Sequence, residues 1–272
     1  MAPSAIITET TPTPSASVKA APPKPSANSA LNCSFDKEGN APSSLHYIPT
    51  FEDKYEERTL RDPVNPEHFW INPYAKHFAT IKAGDLVLID HEGTPVQGTT
   101  AKINTAGFVI HSAVHRARPD INAVCHMHSP YGRAWSTFGR GIEMLNQDSC
   151  AFYKNLGVYE GFGGVALAPE EGRRIADALG PENLNLILQN HGLLTTGRNV
   201  GEAAAYFIAL ERACEAQILT ESVAANGIPK RLVDDESARY SYEYSRSHAV
   251  MYMQFVPEFD LTVELSNGQV LL

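Results

Sequence analysis

The chain has 272 residues, 43% of them hydrophobic, and a formal net charge of −9. No apolar run reaches the ~18 residues that a membrane-spanning helix needs. The acidic balance argues against nucleic acid or an anionic membrane surface as the main partner, because both call for a basic patch. That length suits one substantial domain with tails. Residues 1–45 are rich in Pro, Ser, Thr and Ala, as in Thr11-Pro12-Thr13-Pro14-Ser15, and cannot bury enough apolar surface to offset their ordering entropy. A disordered tail is expected there, without the Arg content of a transit peptide. The domain follows over 46–256, with a C-terminal extension over 257–272. Cys33, Cys125, Cys150 and Cys214 are scattered and no hydrophobic signal segment precedes them, which suits reduced thiols in a cytoplasmic protein.

Turn signals at Asp62-Pro63, Asn65-Pro66 and Asn72-Pro73 flank a short strand at Trp70-Ile71. A strand is predicted over 85–90, with His91-Glu92-Gly93-Thr94 as the turn after it. A helix over 104–118 is capped by Asn104 or Thr105 and ended by Arg118-Pro119-Asp120. The apolar, β-branched stretch 121–128 reads as a buried strand. A helix over 130–138 stops at Gly139, and 163–167 reads as a further strand. Pro169 opens the next helix and Gly180 closes it. Strands follow at 184–189 and 193–196. Asn199 with Glu202 makes a capping-box variant that starts the longest helix, 200–224, striped by Ala203, Phe207, Leu210, Cys214 and Ile218. A last helix over 234–253 carries Tyr240, Tyr242, Tyr244 and Tyr252, expected in core or interface packing. The short link Asn190-His191-Gly192 suits antiparallel neighbours. The expectation is an α/β fold with a mixed, mainly antiparallel sheet and helices on its faces.

His126-Met127-His128 closes the 121–128 strand. Side chains at i and i+2 share one face of a strand, so both rings can converge beyond its end. A catalytic zinc takes about three protein ligands at about 2.0–2.1 Å and keeps an open position. The third candidate is His191, at the end of another apolar run and followed by Gly192, which grants backbone freedom or close approach. The plainer alternative is a set of hydrogen-bonded structural histidines. Cys125 points to the opposite face and reads as a core thiol.

Together, Phe108-Val109-Ile110-His111-Ser112-Ala113-Val114-His115, Arg118-Pro119-Asp120, His126-Met127-His128, Leu188-Gln189-Asn190-His191-Gly192 and Gly201-Glu202-Ala203-Ala204 resemble the class II aldolase and adducin N-terminal domain family over about residues 50–225. Gln147-Asp148-Ser149-Cys150-Ala151-Phe152-Tyr153 is similar to the fungal, adducin-like members. The resemblance implies an α/β/α sandwich, a zinc held by His126, His128 and His191, and a cyclic homotetramer with sites near subunit interfaces. It also implies a small-molecule substrate. Catalytic members use zinc to polarise a carbonyl during carbon–carbon cleavage, and relatives run decarboxylation, epimerisation or dehydration.

The chain departs from that pattern in three places. The aldolases' acid/base Glu, four residues before His111, is here Gly107. Their proton-donating Tyr falls on Gln147, whose amide has no usable acid/base function near neutral pH. The opening helical hairpin and the phosphate-binding strand are missing, because Phe51-Glu52-Asp53-Lys54-Tyr55-Glu56-Glu57-Arg58 runs straight into Thr59-Leu60-Arg61-Asp62-Pro63. A shortened gene model or splice form is one explanation; a natural variant would need a partner subunit to cover apolar surface, at ~25 cal/mol per Å². Replacement chemistry has several candidates. His115 is a candidate base or a carbonyl cap, Gln189 or Asn190 can orient a ligand ring, and Glu143 or Asp148 can supply a carboxylate. Lys154 and Arg133 are candidate anion contacts. The leading expectation is a zinc-dependent lyase, for aldol cleavage or decarboxylation of a small oxygenated carbonyl or carboxylate compound. A non-catalytic adducin-like assembly module is the alternative. An iron oxygenase ranks last, for want of a carboxylate ligand.

Overall fold

A continuous apolar stretch flanked by turn residues makes a strand that is covered on both faces, and two such stretches form the centre of this chain. The computed structural model describes residues 61–96 and 101–272. The predicted tail and the 51–60 junction lie outside the described residues. Four strands form one sheet in the order β3 (Ala123–Met127), β6 (Gly192–Gly197), β5 (Asn185–Leu188), β4 (Leu156–Tyr159). β6 runs antiparallel to both β3 and β5, whereas β4 pairs parallel with β5. Leu186, Ile187, Leu188, Leu193 and Leu194 have no exposed surface.

Alternation splits these residues between two layers. Val124, Leu186, Leu188 and Leu194 pack against α1 (Thr105–Ala117) and α3 (Pro169–Leu179). Ile187 and Leu193 face the other way, onto Trp135 of α2 (Pro130–Ser136), Tyr206 and Leu210 of α4 (Val200–Ala224) and Met251 of α6 (His248–Leu265). The result is the expected α/β/α sandwich around a mixed, mainly antiparallel sheet. A separate hairpin of β1 (Phe69–Ile71) and β2 (Val87–Ile89) packs Phe69, Ile71, Val87 and Ile89 on Phe108 of α1. Asn104 caps α1 by accepting the Ala106 N–H at 3.1 Å, and Asn199 caps α4 by accepting that of Glu202 at 2.8 Å.

Two predicted elements differ. The 163–167 stretch forms bends, not a strand, with Gly164 at φ +87° and Val165 and Leu167 exposed. The strand lies earlier, at β4, where Gly157 lets the backbone approach α3: a Cβ there would stand 2.8 Å from the Ala178 carbonyl oxygen. The predicted 234–253 helix is two helices, α5 (Asp235–Ser245) and α6, broken at Arg246-Ser247. Just past the break, His248 Nδ1 pairs with the fully buried Glu202 at the start of α4. α6 continues through residue 257, and after it the Leu272 carbonyl accepts the Gly84 N–H at 3.0 Å.

Two glycines differ in what they permit. A Cβ on Gly192 would lie 2.5 Å from the Met127 carbonyl oxygen, whereas one on Gly107 would meet nothing closer than 3.8 Å. Gly192→Ala should therefore cost about 1–3 kcal/mol by forcing β6 off β3. Gly107→Ala should stabilise by up to about 1 kcal/mol, as glycine in a helix interior is unfavourable. Urea denaturation of both variants checks the opposite signs.

Candidate metal centre

β3 delivers His126 and His128 to one face at its C-terminal end, as the period of two requires. Met127 pairs with Leu193 of β6, so the start of β6 lies beside them. The turn between β5 and β6 carries His191. Asn190 holds φ +56° within that turn, a left-handed conformation that Asn tolerates better than most residues. The turn is tied to α2 by the Asn190 N–H, which donates to the Ser136 carbonyl at 3.2 Å, and closed by the His191 N–H to Leu188 at 3.0 Å. Gly192 follows against the β3 backbone, so it is close approach, not a positive φ, that calls for glycine there.

The three rings converge. Their centroids are 5.3 Å apart for His126 and His128, 4.9 Å for His126 and His191, and 4.6 Å for His128 and His191. One nitrogen from each lies within 4.8 Å of the others, a spacing from which three donors can face one divalent ion. His126 Nδ1 donates to the Leu193 carbonyl at 2.9 Å, which fixes the ring and leaves Nε2 free as a donor atom. The segment after His128 is also anchored. Glu211 of α4 accepts from Ser129 Oγ at 2.5 Å, the Tyr131 N–H at 2.8 Å and the Gly132 N–H at 2.7 Å. A carboxylate at that helix start complements its unpaired amides.

Electrostatics favour neutral rings at His126 and His191. Burial, with His191 and then His111 beside it, pushes His126 down to about 3. Burial followed by His128 lowers His191, and Glu171 opposes that shift. Burial pushes the Cys125 thiol up to about 12 on the opposite face, where it packs with the α4 side as expected.

The other candidates stand elsewhere. His115 is 4% exposed, its Nδ1 lies 3.3 Å from the Ile121 carbonyl and its ring 5.3 Å from Phe69. Arg61 donates to the His115 carbonyl at 2.7 Å, so His115 joins α1 to the start of β3. Gln147 and Asp148 line a cleft with Arg212, Tyr240 and Tyr244, and no histidine of the triad shares that lining. Glu143 accepts from Gln217 at 2.7 Å and Lys230 at 2.5 Å. Lys154 lies 5.0 Å over the Tyr153 ring, and Arg133 is exposed on α2. For His126 the orienting group is the Leu193 carbonyl and neither Gln189 nor Asn190. Sequence reasoning gave no role to three residues around the triad: His111, which helps to push His126 down, Phe162, whose ring meets His191 edge-on at 6.3 Å, and Glu171. Only His111 carried a signal, by its helical spacing from His115.

Comparison with known proteins matches residues 58–218 to the class II aldolase and adducin N-terminal domain family. The meiotically up-regulated gene 14 protein of Schizosaccharomyces pombe is 40% identical over 78% of this chain and 82% of its own length. A 4-hydroxy-3-prenylphenylpyruvate oxygenase/4-hydroxy-3-prenylbenzoate synthase of Streptomyces roseochromogenus is 36% identical over 75% and 72%, and the decarboxylase NovR of Streptomyces niveus 37% over 73% and 72%. Among solved structures, the L-fuculose 1-phosphate aldolase of Glaciozyma antarctica superposes with a TM-score of 0.70 at 36% identity, over 79% of this chain and 82% of that one. The chain belongs to the class II aldolase and adducin N-terminal domain family.

Buried histidines set an acid limit. Burial first, then Arg61, pushes His115 from its usual 6.5 down to about 3. Above 6.5 both folded and unfolded chains hold the ring neutral. Below it the unfolded chain takes up a proton that the native one refuses, and stability falls as pH drops towards the folded value, by up to about 1.4 kcal/mol per pH unit. His115→Gln should show a shallower acid decline by that slope in urea denaturation between about pH 7 and about pH 4. An unchanged slope would mean that His115 is not held neutral.

Proposed function

We propose that the chain is a divalent-metal-dependent lyase acting on a small oxygenated carbonyl or carboxylate compound, with decarboxylation as its reaction in preference to aldol cleavage. The observation that carries this reading is the convergence of His126, His128 and His191, with ligand atoms within 4.8 Å of one another. Neutral imidazoles of this kind suit zinc, and His126 is already oriented by a carbonyl as metal-bound histidines commonly are. A cation held there supplies Lewis-acid polarisation of a substrate oxygen.

What the chain's own residues add favours decarboxylation. Gly107 cannot move a proton, and Gln147 has no acid/base function. Loss of carbon dioxide leaves electrons on carbon without a base first removing a proton, so the reaction tolerates a glycine at that position. The name of the similar Streptomyces niveus protein, a decarboxylase, supports this choice. The oxygenase name of the Streptomyces roseochromogenus relative favours a second reading, iron-dependent oxygenation at the same three histidines.

The site should bind one divalent cation per chain. Elemental analysis of protein purified without chelators should find one equivalent, and His126→Ala, His128→Ala and His191→Ala should each abolish it. A metal-free wild type that also fails to take up zinc would overturn the proposal. With a bound metal, carbon dioxide release without oxygen consumption supports the lyase, and oxygen uptake with ferrous iron supports the second reading.

We also propose the homotetramer of the family. Large apolar side chains left in solvent, including Leu219, Val223, Ile228 and Leu232, support assembly. Light scattering should give about four times the 29.7 kDa chain mass. A monomer would contradict it.

A further inference from the structure

Glu171 sits near the start of α3 with its side chain 11% exposed. Its Oε1 accepts the Tyr159 hydroxyl at 2.9 Å and the Gly163 N–H at 3.3 Å. Both partners are bound up with the turn that carries His191. Tyr159 ends β4 opposite Leu188, and its carbonyl accepts the Gln189 N–H at 3.1 Å. From Tyr159 the chain passes through Phe162, whose ring meets His191, and reaches Gly163 against the carboxylate. A Cβ on Gly163 would stand 2.4 Å from Glu171 Oε2, so glycine is what lets the loop close onto the acid. The Gly163 amide on the carboxylate thus follows directly on the residue whose ring meets His191. Arg174 is the cation beside it, with Nη1 3.6 Å from Oε2 and a half-exposed guanidinium.

We propose that Glu171 is the carboxylate of this site, a positioning residue whose charge strengthens cation binding at His126, His128 and His191 and whose oxygen holds the Tyr159 hydroxyl and the 160–163 loop against the His191 turn. This rests on the metal-centre reading above. It also defines the charge balance of the pocket: a dication on three neutral rings gains a nearby negative charge, and Arg174 partly offsets that charge.

The test is zinc affinity of the full chain, by competition with a chromophoric chelator, alongside thermal unfolding. Glu171→Gln keeps an oxygen acceptor for Tyr159 and Gly163 and removes only the charge. It should weaken zinc binding by about tenfold or more, the usual cost of a lost outer partner, with stoichiometry unchanged. Glu171→Asp should recover part of the loss. Arg174→Gln should act in the opposite direction and tighten binding by a few-fold. A purely structural role for Glu171 would move the melting temperature and leave zinc affinity alone. Wild-type affinity in both Glu171→Gln and Arg174→Gln overturns the assignment while leaving the three-histidine site standing. If wild type binds no zinc, the site and this assignment fall together. Should Glu171→Gln not fold, Arg174→Gln on its own decides: tighter binding supports the assignment, unchanged or weaker binding overturns it.

Discussion

The distance between β3 and β6 governs this molecule. Two histidines project from one strand end and the third from a turn between two others, so they meet only if Met127 and Leu193 stay paired with Gly192 pressed against the β3 backbone. The helices serve that register. Trp135, Leu193 and Tyr206 fill one side of the sheet, and Val124, Leu186 and Leu194 the other. Glu211 ties the chain after His128 to α4, and Ser136 ties the 189–191 turn to α2. Paired strands and the helices tied to them thus hold the three rings in place.

This arrangement separates binding from proton transfer. The proposed donor set is three histidines, whereas Gly107 on α1 offers no proton carrier, and a Cβ there would meet nothing closer than 3.8 Å. Under the proposed reading, a metal site in a chain whose residue 107 cannot carry a proton suits reactions in which no carbon-bound proton leaves. The oxygenase and decarboxylase names of two relatives fit that freedom.

Much of this was legible from local pattern. His126 and His128 follow from strand alternation, the fold class from the alternating elements and short links, and the helix starts at Asn104 and Asn199 from capping chemistry. What escaped was tertiary. Leu156-Gly157-Val158-Tyr159 is short and broken by a glycine, so nothing local distinguishes it as an edge strand; Val165-Ala166-Leu167 has the apolar run of a strand but no neighbour to pair with. The start of α6 is tied to a buried carboxylate 46 residues earlier, Glu202 with His248. Glu171 was invisible for the same reason, since its link to the His191 turn runs through Tyr159 and Gly163, whose placement beside that turn depends on the pairing of β4 with β5. His115 was open to two readings, base or carbonyl cap, and its ring meets the Ile121 carbonyl as the second has it.

The most direct test is X-ray absorption at the zinc edge of the purified, zinc-loaded full chain. The account predicts a first shell at about 2.0–2.1 Å with the outer-shell scattering of three imidazoles and one further light atom. A shell of oxygens alone, or one that keeps all its imidazole scattering when His191 is replaced by Ala, would contradict it.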